Sequence, residues 1–115
     1  MKRLKGKKQI EQLFTSGVSV GAFPLRMVYL KSNDKNTVGV SVSKKQFKNA
    51  VDRNRIKRLL RVVIEKQFSV VLDYTASNYT LMVLYVGKEM PDTPQLKKQF
   101  EFLIKRFNKK EQNEI

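Results

Sequence analysis

Apolar positions along the chain alternate between two periods. Ile10, Leu13 and Phe14 form a short helical stripe, with Gly17 placed as its C′ residue. Gly21, Ala22 and Pro24 interrupt before a strand over Leu25–Lys31, and a polar turn cluster follows at 32–36. From Thr37 to Ser43 the pattern is strictly two-fold: Val38, Val40 and Val42 on one side, Gly39, Ser41 and Ser43 on the other. The period then changes. Ile56, Leu59, Leu60, Val63 and Ile64 make a helical stripe within a helix predicted from Asn49, a good N-cap, to Lys66. Residues 68–72 fit either a helix continuation or a short strand, and 73–78 reads as loop. Tyr79–Val86 is apolar on both faces, as an interior strand is. After a turn at 87–91, Asp92 or Thr93 caps a last helix that has Pro94 at its first position and the stripe Leu96, Phe100, Leu103, Ile104, Phe107.

This reads as one α+β domain over residues 1–115, a two-layer α/β sandwich of order α-β-β-α-β-α around a small mixed sheet. Residues 1–8 are basic and irregular, an arm; the tail 108–115 is polar and expected to fray. Phe100, Phe102 and Phe107 are assigned to the core. Phe14 and Tyr29 could serve either the core or a surface.

Charge changes the picture. The chain carries 24 Lys and Arg against 10 Asp and Glu, a formal net charge of +14. Eight of those cations fall between Lys44 and Arg61, opposed only by Asp52. At about 100° per residue, Asn54, Lys57, Arg58 and Arg61 lie opposite the apolar stripe, Arg55 on a flank and Arg53 near the stripe's edge. A merely solvated helix face would mix both signs at i, i+4. Arginine at four of these positions suits bidentate phosphate binding and stacking on bases. Beside the small-residue strand face, such a helix makes a trough for a single nucleic-acid strand, with phosphates on cations and bases on Phe or Tyr.

Other chemistries are poorly served. The chain has no Cys and no His, and its carboxylates are scattered, so a self-sufficient metal nuclease is disfavoured. No apolar run is long enough to span a bilayer and no signal-peptide core follows Met1, so a cytoplasmic protein is expected, with neither a membrane nor a small-molecule substrate as partner.

Gly39-Val-Ser-Val-Ser-Lys-Lys45, then Asn49-Ala-Val-Asp-Arg-Asn-Arg-Ile-Lys-Arg58 and Arg61, resemble the protein subunit of bacterial ribonuclease P, whose signature helix carries Arg-Asn-Arg after a strand ending in Ser-Lys-Lys. The order of elements is similar over nearly the whole chain. The resemblance implies an RNA-binding subunit that assists a catalytic RNA in removing the 5′ leader from precursor tRNA. Mg²⁺ would be held in that RNA, with no cofactor bound by the protein. It implies a left-handed βαβ crossover through the signature helix, where general rules predict a right-handed one. It also implies that Arg53, Asn54, Arg55, Lys57, Arg58 and Arg61 meet ribonuclease P RNA. A cleft between the first helix, the sheet face and the signature helix would hold the leader through Phe14, Tyr29, Ser41, Ser43, Lys44 and Lys45. Three departures stand out: Ile10 replaces an aromatic usual in that cleft, Gln46-Phe47-Lys48 is one residue longer and lacks the usual glycine, and Gly87-Lys88 replaces Ala-Arg. For Tyr29, a shift of one residue would put Val28 in the cleft instead. The alternatives are a ribosomal or other structural RNA-binding protein and a DNA-binding helix-in-groove protein; the latter is weakened because a strand, not a helix, precedes Asn49.

Overall fold

The computed structural model describes residues 2–4, 6–32, 35–68 and 77–112. Its elements are β1 (Lys2–Arg3), α1 (Lys7–Ser16), β2 (Val18–Ala22), β3 (Leu25–Ser32), β4 (Thr37–Val42), α2 (Ala50–Val63), β5 (Asn78–Tyr85) and α3 (Thr93–Gln112). A single π turn over Ile64–Phe68 prolongs α2. The sheet runs β1-β4-β5-β3-β2 and is mixed: β4 is parallel to β1 and β5, while β3 is antiparallel to β5 and β2.

The central strand sets the layers. In β5 the side chains of Tyr79, Leu81, Val83 and Tyr85 enter the main core with Ile56, Leu60 and Val63 of α2, Phe68 of the π turn, and Leu96, Phe100, Leu103 and Phe107 of α3. Met82 points the other way, into a smaller cluster with Leu13 and Val28, against which Leu4, Ile10, Leu30 and Leu84 pack. Hence α2 and α3 cover one face and α1 crosses the other. Residues 69–76, the undecided stretch and most of the expected loop after it, lie outside the described residues.

Local chemistry fixes the helix ends. The Asn49 side chain accepts from the Val51 N–H at 2.9 Å, and Asp52 and Arg61 sit at the ends of α2 that suit their charges. Asp92 caps α3, its carboxylate accepting from the Gln95 N–H at 2.8 Å, so Pro94 takes the second helical position, one beyond the expected first. Gly17 does end α1, its N–H bonded to the Leu13 carbonyl at 2.8 Å, but its φ of −74° is ordinary. The glycine is needed for space: a Cβ there would lie 2.2 Å from the Leu13 carbonyl oxygen and 2.6 Å from Val28 Cγ1.

Four expectations are corrected. Described parts of the arm 1–8 are regular: Lys2 and Arg3 pair in parallel with Thr37 and Val38, and α1 begins at Lys7. A five-residue edge strand, β2, precedes the cis Phe23–Pro24 turn where only an interruption was expected. The helix expected to fray from 108 runs to Gln112, because Phe107 is buried and the Glu111 carboxylate accepts from the Tyr29 and Tyr79 hydroxyls. Phe102 is not core; it is 44% exposed.

Leu60 is fully buried in the α2 stripe, so Leu60→Ala should lower stability by about 2–5 kcal/mol in urea unfolding without weakening RNA binding at temperatures where it stays folded. Gly17→Ala should cost about 1–3 kcal/mol, since the Leu13 carbonyl and Val28 must both give way; an unchanged denaturation midpoint would contradict that packing.

Candidate nucleic-acid interface

The alternation of β4 decides where the cations and the small residues go. Val38, Val40 and Val42 join the main core beneath α2. Gly39 faces the opposite side, where a Cβ would meet Met82 Sδ and Cε at 3.1 Å and Leu4 Cβ at 3.2 Å. Ser41 shares that side by the period of two. The expected cleft is therefore corrected in one respect: α2 is not one of its walls. The cationic ridge and the small-residue trough lie on opposite faces of the sheet, joined around its end by residues 43–49.

On the α2 face, Asn54, Arg55, Arg58 and Arg61 are exposed and Lys57 half-buried. A cavity of about 540 Å³ separates α2 from the β1–β4 edge. Arg3, Asn54, Arg58 and Arg61 line it above Val38 and Val40, and Glu65 joins the lining. Arg3 escaped the sequence reading because a two-residue strand leaves no periodic signal; only its pairing with Val38 puts it opposite α2. Arg53 differs from its neighbours. Its guanidinium donates to the carbonyls of Phe47 at 2.7 Å and Lys48 at 2.9 Å. Through Nη1, the donor of both bonds, it holds the loop.

That loop carries Lys44 and Lys45, both exposed, while Ser43 at the strand's end is half-buried. The Phe47 N–H bonds to the Ser43 carbonyl at 3.1 Å, and the buried Phe47 ring sits 6.0 Å from that of Tyr85. The three residues that departed from the expected pattern thus include the loop's anchor. Tyr85 in turn donates its hydroxyl to the Glu89 carbonyl at 2.5 Å. Burial, with the Glu89 charge, pushes its pKa above the ordinary tyrosine value, so it stays a neutral donor at physiological pH.

On the other face, α1 lies across the sheet with Leu13 down. Its Gln9 and Gln12 flank borders a recess with Leu30, Lys31, Ser32 and Thr80, at one end of the strands. Ile10 and Phe14 occupy the opposite flank of the helix, where Ile10, like Leu84, packs against the Leu13, Val28 and Met82 cluster. Phe14 is 50% exposed, and Ile10, Ser41 and Leu84 are half-buried. The trough therefore has the Phe14 ring, a small-residue and aliphatic floor, and lysines at its mouth. Arg26, which sequence reasoning passed over, alternates onto the same face and donates to Ser19 Oγ at 2.9 Å.

Tyr29 is corrected. It is 2% exposed on the α2–α3 face, its ring 4.8 Å from that of Phe107 in an edge-on contact, its hydroxyl bonded to Glu111 at 3.0 Å. The one-residue shift that governs every strand puts Val28 on the trough side instead, already covered by Leu13 and Gly17.

A guanidinium-rich helix on one face and an open trough on the other define a small RNA-binding α+β protein. Among the described residues no helix is long and apolar enough to cross a membrane. Residues 1–108 match the ribonuclease P family model. A ribonuclease P protein component from Streptococcus agalactiae is 34% identical over 104 residues, covering 90% of this chain and 91% of the relative. One from Lactobacillus helveticus is 43% identical over 67 residues, where this chain spans only 55% of the relative's length. Among solved structures, the Staphylococcus aureus RNase P protein superposes with a TM-score of 0.74 at 25% identity over 91% of this chain and 94% of that one. The Thermotoga maritima RNase P protein shares the fold, with a TM-score of 0.75 at 21% identity over 92% and 97% of the two chains. The chain belongs to the ribonuclease P protein family. It is a protein component of a tRNA-processing ribonuclease, and its partner is the RNA of that enzyme.

Arg53→Ala removes both bonds to the loop carbonyls and should cost about 1–2 kcal/mol, read as a lower melting temperature. If Arg53→Ala instead left stability intact and flattened the salt dependence of RNA binding, Arg53 would be a phosphate ligand.

Proposed function

We propose that this protein divides two RNAs between the two faces of its sheet. The α2 ridge, with Arg55, Lys57, Arg58, Arg61 and the Asn54 amide, neutralises and positions the catalytic RNA. The trough takes the unpaired 5′ leader of precursor tRNA, stacked on Phe14 and running over Ser41 toward Ser43, Lys44 and Lys45. The single observation that carries this reading is the parity of β4, which turns Val40 toward α2 and Gly39 and Ser41 away from it. One RNA can then be held without blocking the other.

Catalysis belongs to the RNA in this reading. Mg²⁺ bound there supplies the hydrolytic chemistry, while a chain without His or Cys contributes charge and position. The protein works in the cytoplasm with its RNA. Protein freed of RNA should not cleave precursor tRNA in Mg²⁺; cleavage by such a preparation would overturn the assignment.

Two measurements separate the faces. Replacing Arg58 and Arg61 with Ala should reduce the log–log salt slope for binding the catalytic RNA by roughly 1.4 to 1.8, from about 0.7 per single-strand and 0.9 per duplex phosphate contact. Phe14→Ala should weaken binding of precursor tRNA by about five- to 150-fold, the worth of one stacked base, and spare mature tRNA. Because Ile10 cannot stack beside it, the low end is expected. Equal weakening toward both tRNAs would argue against a leader at Phe14.

A further inference from the structure

The outer surface of α3 holds a second cationic stripe. At about 100° per residue, Lys98, Phe102, Lys105 and Lys109 share one line, opposite Leu96, Phe100, Leu103 and Phe107. All four are exposed, and the Lys105 ammonium lies 5.9 Å from the centroid of the Phe102 ring. Six of the helix's residues are basic and two acidic, and one of the acids, Glu111, is committed to Tyr29 and Tyr79. Arg106 and Lys110 donate to the carbonyls of Gly21 and Ser19 on edge strand β2, which are neutral acceptors and leave both charges uncompensated.

We propose that this surface is a second docking site for the catalytic RNA. Its phosphates lie on Lys98, Lys105 and Lys109, and an unpaired base stacks on Phe102. The inference rests on the assignment of α2 to that RNA. It commits to the catalytic RNA rather than to precursor tRNA because α3 packs beside α2 on the face turned away from the trough.

The experiment measures binding of purified ribonuclease P RNA across a salt series, beside precursor tRNA binding by the reconstituted complex, sedimentation and melting curves. Replacing Lys98, Lys105 and Lys109 together with Ala should reduce the salt slope for the catalytic RNA by about 2.1 to 2.7. Phe102→Ala should weaken that RNA by about five- to 150-fold. Preference for precursor over mature tRNA should not change in any of them. If the Arg58 and Arg61 variant loses slope while the α3 variants match wild type, the second site is refuted and the function of α2 stands. If neither changes, the assignment of α2 fails with it. Weakening confined to precursor tRNA, or self-association of the wild type that Phe102→Ala abolishes, would give the surface to a different partner and overturn the proposal.

Discussion

Everything in this fold hangs on a central strand buried from both sides. β5 contributes Leu81 and Val83 to the core under α2 and α3, and Met82 to the patch under α1. An apolar strand that must be covered twice forces helices onto both faces of a small sheet. A 115-residue chain thereby gains two separate surfaces, each with a rigid backing. β4 lies beside β5 in parallel register and inherits the same division, Val40 opposite Val83 and Gly39 opposite Met82.

That division determines how positive charge can be used. With a formal net charge of +14, any surface of the molecule attracts RNA over long range. Specific use needs cations that are held in place and not consumed internally. Some are consumed: Arg53 fastens the 43–49 loop, while Arg106 and Lys110 cover carbonyls of the edge strand β2. The last pair also blunts an exposed edge that could otherwise pair with another chain. Arg58 and Arg61 keep their guanidiniums on the surface of α2, and Arg3 comes to them from a strand two residues long.

The trough is plainer than its family resemblance implied. Of the two aromatics expected there, Phe14 is exposed while Tyr29 faces the core, and Ile10 is aliphatic. In the proposed leader-binding role, stacking of a single base over an aliphatic floor would tolerate many sequences, since every base has a π-face and the floor offers few hydrogen bonds. Lys44 and Lys45 at its mouth would, in the same role, act on phosphates, which carry no sequence information.

Periodicity alone located α1, α2, α3 and strands β3, β4 and β5, because each has a face buried along its length and burial imposes a period on the sequence. It also identified the exposed arginines of α2, which follow from the same period read from the other side. The Arg-Asn-Arg helix after Ser-Lys-Lys was legible as a family resemblance for the same reason: those residues are consecutive in the chain. What escaped were features made by pairing between distant segments. β1 is held by Val38, the end of α3 by Tyr29 and Tyr79 through Glu111, and Arg53 by carbonyls one turn before its helix. Parity decided the rest. A strand residue belongs to one face or the other by a shift of a single position, and whether Tyr29 or Val28 met the trough depended on the register of β3 against β5, with Tyr29 opposite Leu81. Local sequence carries the period; only the assembled sheet supplies its phase.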